Sequence, residues 1–245
     1  MARNKQYIKN QTELFKMSRS KVQLFTECPK CFYLDTRLGV GRLGSLPFTL
    51  NNAVDALLKN EFDEYRLKQE PHPYFIPNNI DAVPYQHEKL NEWRENFKGI
   101  HYHHERLGFN LTGAIDDLWI DNKTQKIIVA DYKATAKESE VTLDADWQQG
   151  YRNQMGFYQY ILRGIGFDVD ETGWFVYANG IKSSKRFDNQ LKFNVVMLPF
   201  KADTSWIEPT LENIKSCLES DSIPEQHTDC KYCNYVSKYT SVIKH

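Results

Sequence analysis

The sequence predicts an α/β or α+β fold, in which a helical front piece leads into a mixed sheet flanked by helices. Three observations carry this prediction. Residues 113–133, GAIDDLWIDNKTQKIIVADYK, join two apolar runs through the polar segment 121–125 and read as a β-hairpin. Trp147, Tyr151, Gln154, Tyr158 and Ile161 recur at steps of three and four and so share one helix face. Two further runs, 171–178 (ETGWFVYA) and 191–200 (LKFNVVMLPF), have strand composition and follow that helix.

The 245 residues suffice for one full core, and 26% charged with 41% apolar residues is an ordinary globular balance. We expect a single domain over 1–245, with a helical front piece at 18–105, an α/β core at 106–205 and a helix with a cysteine tail at 206–245. A formal net charge of -1 excludes bulk steering toward polyanions, so nucleic-acid binding would need local patches. No apolar run approaches the roughly 18 residues of a membrane span. The first residues lack the apolar stretch of a signal peptide. The expectation is a soluble, cytoplasmic protein whose five cysteines serve metal binding or reactivity before disulfides.

The elements follow in order. Residues 1–17 are polar and basic, a frayed lead-in or short helix. Residues 18–38 read as helical, with Ser18 and Ser20 as N-caps and a break at Pro29. Glycines make 39–47 a loop, and Val54, Leu57, Leu58, Phe62 and Tyr65 mark a helix from Thr49 to Lys68. Four prolines make 70–84 irregular, and 85–97 reads as a short polar helix. His101, His103 and His104 are expected on the surface. Beyond the hairpin, Asp144 or Asp146 caps a helix that runs to about Arg163 and is ended by Gly164 and Gly166. A last helix covers about Trp206 to Glu219, with Cys217 packing on it.

Along the second hairpin strand, Ile127, Val129, Asp131 and Lys133 share one face and Ile128, Ala130 and Tyr132 the other. Ordinary register brings Asp116 to the same rim and turns Asp117 away. Two carboxylates and a lysine there could hold a hard divalent ion and a water. A bare D-x-K by itself is better read as a strand end with solvated charges, and it is the rest of the chain that favours the site. Gln154 and Tyr158, four residues apart, read as core neighbours or as part of the same site.

In order, Gly113-Ala114-Ile115-Asp116, Asp131-Tyr132-Lys133 and Gln154-Met155-Gly156-Phe157-Tyr158 resemble the motifs of the PD-(D/E)XK nuclease superfamily. The resemblance is to its RecB-like branch, which includes CRISPR-associated RecB-like exonucleases and the AddB nuclease domain, and it spans roughly residues 18–239. It implies a restriction-endonuclease-like sheet and exonuclease-like hydrolysis of DNA, single-stranded or at duplex ends. Asp116, Asp131 and the Tyr132 carbonyl would ligate Mg²⁺ or Mn²⁺. Lys133 would orient or help deprotonate the attacking water and stabilise phosphate charge. Gln154 and Tyr158 would steady that lysine and the strand. The branch usually carries G-x-x-x-H ahead of the hairpin; here 51–55 reads NNAVD, with Asp55 in the histidine's place. A carboxylate can ligate Mg²⁺; the other reading of Asp55 is a solvated helical acid. Lys137, Arg152, Lys182, Lys185 and Arg186 are the local cations for strand binding.

Two C-x-x-C pairs, Cys28 with Cys31 and Cys230 with Cys233, give the ligand count of an all-thiolate zinc or iron–sulfur site. RecB-like nucleases with a cluster take one cysteine from the front piece and three from the tail. Cys28, Cys230 and Cys233 match three of these, the fourth position falls on Tyr239, and Cys31 restores the count. The resemblance therefore leads us to expect a 4Fe-4S cluster stapling front piece to tail, with Zn²⁺ as the alternative. A catalytically weak nucleic-acid-binding protein on the same fold, with a four-cysteine zinc site, is the competing function. The intact set Asp116, Asp131, Lys133 and Gln154 favours the enzyme.

Overall fold

The computed structural model describes residues 5–44, 46 and 48–243. Residues 1–4 of the lead-in, Ser45 and Pro47 of the glycine loop, and residues 244–245 lie outside the described residues. In chain order the elements are β1 (Phe15–Ser18), α1 (Arg19–Glu27), α2 (Pro29–Leu38), α3 (Thr49–Lys68), β2 (Ala82–Pro84), α4 (Leu90–Trp93), β3 (Ile100–His104) and β4 (Phe109–Gly113). There follow β5 (Asp117–Asp121), β6 (Ile127–Thr135), α5 (Gln149–Gly164), β7 (Thr172–Gly180), β8 (Phe193–Lys201), α6 (Ile207–Glu219) and α7 (Lys231–Ile243). The fold is mixed α/β, and its contacts divide into two compact units: Met1–Leu46, His103–Thr112 and Ser205–His245 form one, Pro47–Tyr102 and Gly113–Thr204 the other.

In the first unit, residues 5–17, the described part of the lead-in, are ordered and end in a strand rather than a helix. Phe15 and Met17 are buried while Lys16 is exposed, the alternation of a half-buried strand, and β1 pairs in parallel with β4 from Phe15–Phe109 to Ser18–Thr112. Four residues are too short a run to announce that strand from sequence. Tyr7 is also buried; its hydroxyl donates to Glu219 and accepts from Lys215 at 2.7 Å. Ser18 caps α1 as expected, accepting from the Lys21 amide at 3.3 Å. The break falls at Cys28, where the chain is extended, and Pro29 opens α2 at a position that needs no amide donor. His104, expected on the surface, is buried with Nε2 3.1 Å from Glu208; a polar ring with a carboxylate partner can be taken inside.

The second unit is built on a five-stranded sheet in the order β2-β5-β6-β7-β8. The hairpin pairs β5 with β6 antiparallel, Asp117 opposite Ala130 and Ile120 opposite Ile127. β6 and β7 are parallel, Asp131 beside Phe175 and Lys133 beside Tyr177, and parallel neighbours need a crossover, which α5 supplies. α3 covers one face. Val54, Leu58 and Phe62 come up every four residues and bury against Ile128, Ala130 and Tyr132. Phe62 is stacked between His72, with centroids 4.0 Å apart, and Trp119, at 5.7 Å. Burial lowers the His72 imidazole to about 4, so it joins this stack uncharged. α5 packs against β6 from the opposite face, that of Asp131 and Lys133, and Gly173 of β7 lets Met155 approach the backbone.

Three expectations change here. Of the polar helix at 85–97 only the single turn of α4 forms, because Leu90 and Trp93 are the only apolar side chains it has to bury. β2, part of the proline-rich segment, joins the sheet beside β5. Trp147 lies in a short 3-10 turn, 65% exposed, off the buried face that Gln154, Tyr158 and Ile161 share.

Asp117 sits at the start of β5 with no exposed surface. It receives Arg66 Nη2, Arg94 Nη2 at 3.1 Å, the Tyr132 hydroxyl at 2.6 Å and the Leu118 amide at 2.8 Å. Arg66 and Arg94 also share Asp63, which is partly exposed, so Asp117→Ala removes the fully buried one of their two common anions and should cost about 3 kcal/mol in urea unfolding.

Candidate active site

Asp116 precedes β5, and Asp131 and Lys133 lie on one face of β6. The structure brings all three together. Asp116 Oδ2 accepts the Tyr132 amide at 3.0 Å, which ties the residue before β5 to the neighbouring strand. The Asp116 carbonyl accepts Arg94 Nε at 2.9 Å. Asp131 has no exposed surface, is ion-paired to Lys133, and accepts Gln154 Nε2 at 2.8 Å. The same Gln154 amide donates to the Tyr158 hydroxyl at 3.3 Å. Gln154 and Tyr158 thus reach the site from α5, one turn apart.

Gly113 is required by this arrangement: a Cβ there would stand 2.5 Å from Tyr158 Cε1. Any side chain at the head of the G-x-x-D motif would push the tyrosine from Gln154. Lys133 Nζ lies 3.4 Å from the Tyr132 carbonyl and 4.8 Å from the centroid of Tyr151, which is in turn in edge contact with Trp147.

The electrostatics follow from burial. Burial raises the Asp131 carboxyl to about 7; Lys133 opposes the rise, and Asp116 adds to it by charge and by a shared hydrogen bond. Burial also acts to raise Asp116, but Lys133, Lys59 and the Tyr132 amide outweigh it and hold that carboxyl below its ordinary value. Desolvation works against the Lys133 ammonium, yet Asp131 and Asp116 win and raise it, so Lys133 is a firm cation. One acid ready to ionise, one already ionised and a main-chain carbonyl make an oxygen donor set of the kind a hard divalent ion takes.

Asp55 belongs to the same cluster. Its carboxylate pairs with Lys59 at 2.8 Å, and Lys59 Nζ reaches Asp116 Oδ1 at 3.2 Å. Burial raises the Asp55 carboxyl, and Asp116 raises it further. Lys59 was not foreseen. The signal for it was the i, i+4 spacing from Asp55 on a helix already read correctly.

The proposed strand-binding cations divide. Lys182, Lys185 and Arg186 lie exposed on the segment between β7 and β8, with Lys182 3.8 Å from Glu138 and Arg186 2.7 Å from Asp188. Lys137 is half-buried at the end of β6, its amide on Asn179. Arg152 differs: its guanidinium holds the carbonyls of Leu143 and Ala145 and the side chain of Gln149, which shapes the turn before α5.

Within the first unit, Cys28, Cys31, Cys230 and Cys233 are buried together, their sulfurs all within 4.8 Å of one another. Cys28 stands just before α2 and Cys31 in its first turn; Cys230 and Cys233 stand in the same relation to α7, a helix the sequence reading did not include. Both pairs therefore meet at helix N-termini, where amide dipoles favour thiolate charge. Arg42 Nη2 lies 3.5 Å from Cys230 Sγ, and its guanidinium 4.5 Å from the Tyr232 centroid. Burial opposes ionisation of Cys230, but the Cys233 amide and the neighbouring thiols bring it down to about 6, whereas burial raises Cys31 and Cys233. Cys217 stands outside the group, its thiol raised to about 11 by burial. No helix among the described residues is long and apolar enough to cross a membrane.

The family model of the PD-(D/E)XK nuclease superfamily matches residues 45–237. A solved structure of a candidate exonuclease from Eubacterium rectale is similar over 90% of this chain and 87% of that one, at 16% identity and a TM-score of 0.43. No curated protein matches the sequence.

Asp131 must lose its proton to ligate a cation, and its raised pKa places that loss near neutrality. Mn²⁺ affinity should therefore climb between about pH 6 and pH 8 and level off above, with protons released on binding at the lower pH. Calorimetric titration in buffers of different ionisation enthalpy reads both; an affinity flat across that range would contradict the assignment.

Proposed function

Because the chain belongs to the PD-(D/E)XK nuclease superfamily, we propose that it hydrolyses phosphodiester bonds of DNA at the Asp116–Asp131–Lys133 site, in the manner of a RecB-like exonuclease. The observation that carries this reading is the convergence of one buried and one half-buried carboxylate, a lysine and Gln154 at one end of β6. Asp116, Asp131 and the Tyr132 carbonyl would hold Mg²⁺ or Mn²⁺. When bound, the ion supplies Lewis-acid stabilisation of the phosphoryl oxygen and acidifies a water.

The chain's own groups do the rest. Gln154 orients Asp131 and is steadied by Tyr158. Lys133, held as an ammonium, is suited to neutralising charge that develops on the phosphate, and less to removing a proton from water. Exposed Trp147, against Tyr151, offers an aromatic face on which an unpaired base can stack. Lys182, Lys185 and Arg186 are candidate phosphate contacts, and the five unbridged cysteines fit a reducing, cytoplasmic compartment.

End-labelled single- and double-stranded DNA should be shortened in Mn²⁺ or Mg²⁺ and left intact in EDTA. Asp116→Asn and Lys133→Ala should each slow cleavage by roughly a hundredfold or more with the fold retained. Removing Lys182, Lys185 and Arg186 together should flatten the salt dependence of binding, by about 0.7 per lost contact on single strands. Full cleavage by Lys133→Ala would defeat the assignment of that residue.

For the four-cysteine site, the sulfur spacing supports Zn²⁺ over the 4Fe-4S cluster. A tetrahedron of thiolates about 2.3 Å from one ion has edges of about 3.8 Å. The separations here are 3.8 Å for Cys28–Cys233, 3.6 Å for Cys31–Cys230 and 3.4 Å for Cys31–Cys233. A cube sets four irons and four sulfides between its thiolates and holds them farther apart. Arg42 beside Cys230 would offset the excess negative charge of four thiolates around one divalent ion. Purified protein should be colourless with one zinc per chain, and Cys31→Ser should lose zinc and thermal stability. Brown protein with about four irons per chain, prepared without oxygen, would overturn zinc in favour of the cluster.

A further inference from the structure

We propose that Lys59 is a tethered cation seated in the metal site, and that a divalent ion binds Asp116 by displacing it. The inference rests on the reading of Asp116 as a ligand and adds a residue which that reading does not contain. Lys59 comes from the middle of α3 and Asp116 from the turn before β5, 57 residues along the chain. Their contact, 3.2 Å, is made by two side chains only 18% and 20% exposed. On the other side, 2.8 Å away, is Asp55, one helical turn earlier. The ammonium is thus bracketed by two carboxylates, in a place where a hard cation could be held.

The two oxygens of Asp116 are not equivalent. Oδ2 accepts the Tyr132 amide, part of the strand framework. Oδ1 faces Lys59. An incoming ion takes the oxygen the backbone has not claimed, so it meets the ammonium there. Asp131 is held in the same way by Lys133, which makes two acid–lysine pairs side by side. Lys133 is held by Asp131, the Tyr132 carbonyl and the Tyr151 ring, whereas the contacts of Lys59 are the two carboxylates that an ion would take over. A unit positive charge near 3 Å from a ligand oxygen must lower affinity for a divalent ion, and little water intervenes to screen it. Without metal, the same charge keeps Asp55 and Asp116 from repelling one another.

A merely structural ion pair and a displaceable cation differ in one measurement. Replacing Lys59 by an uncharged side chain lowers stability in either case, but only the displaceable cation predicts tighter metal binding. Lys59→Met should lower the melting temperature in EDTA and bind Mn²⁺ at least about tenfold more tightly by calorimetry without nucleic acid, while Lys59→Arg stays near wild type. An unchanged or weaker Kd in folded Lys59→Met overturns the proposal. Asp116→Asn separates it from the reading beneath: Mn²⁺ binding that survives Asp116→Asn at full strength removes the metal site itself, whereas its loss there with no gain in Lys59→Met removes only the role of Lys59. The wild-type protein gives a second readout. Reductive ¹³C-methylation, with the Lys59 signal assigned through Lys59→Arg, should label Lys59 slowly in EDTA and readily in saturating Mg²⁺; equal labelling in both overturns the displacement.

Discussion

The site depends on how Asp117 is buried. A carboxylate with no access to water persists only if each oxygen is answered, and Asp117 is answered by two guanidinium groups, a phenol and a backbone amide. Those partners come from α3, from the end of α4 and from β6, so one side chain joins the helix that covers the sheet to the hairpin at its centre. Asp116 is the adjacent residue. Its carbonyl is held by the same Arg94 and its carboxylate by the amide of the same Tyr132. Asp116 is thus held through its carbonyl by a side chain and through its carboxylate by a backbone amide, and both of those partners also hold its buried neighbour. This is why the structure can place Asp116 outside any strand and still present it to Asp131.

Charge balance explains the remainder. Three carboxylates, Asp55, Asp116 and Asp131, stand with two lysines, Lys59 and Lys133. At neutral pH without metal, a partly protonated Asp131 brings the sum close to zero, which is the condition under which so many charges with little access to water can coexist. The protein is therefore able to fold around the site before any ion arrives. The cysteine site works differently. Its burial and its raised thiols Cys31 and Cys233 leave protons in place until something replaces them, and the two helix N-termini and Arg42 favour that replacement by a group with net negative charge once four thiolates surround it.

What could be read from the sequence was whatever local pattern determines. α3 was legible to its last residue because Val54, Leu58 and Phe62 carry a four-residue period along an uninterrupted stretch. The hairpin was legible from Ile127 to Lys133, and with it the faces of Asp131, Tyr132 and Asp117. The strands β1, β2 and β4 were not, since each is short and exists only through a partner far along the chain: Phe15 is half of a pair with Phe109, and Val83 of a pair with Ile120. His104 was misplaced for the same reason, because its burial depends on Glu208, 104 residues away. α7 carries its apolar residues on an exposed face, Tyr235, Val236 and Tyr239 among them, and so lacks the buried stripe that marks a helix.

The departure at Asp55 shows how a motif read residue by residue can mislead. Taken singly, an aspartate where a histidine is usual changes a neutral nitrogen donor into a charged oxygen donor, and adds a third negative charge to a site that already holds two. Such a change is costly unless a positive charge accompanies it. Lys59, one turn on and in contact with both Asp55 and Asp116, is that charge. Together Asp55 and Lys59 add no net charge to the site, and the carboxylate is an oxygen donor of the kind a hard ion takes. On this account an aspartate at position 55 is compatible with the charge of the site. Lys59, half-buried and bracketed by Asp55 and Asp116, balances the charge that the aspartate brings.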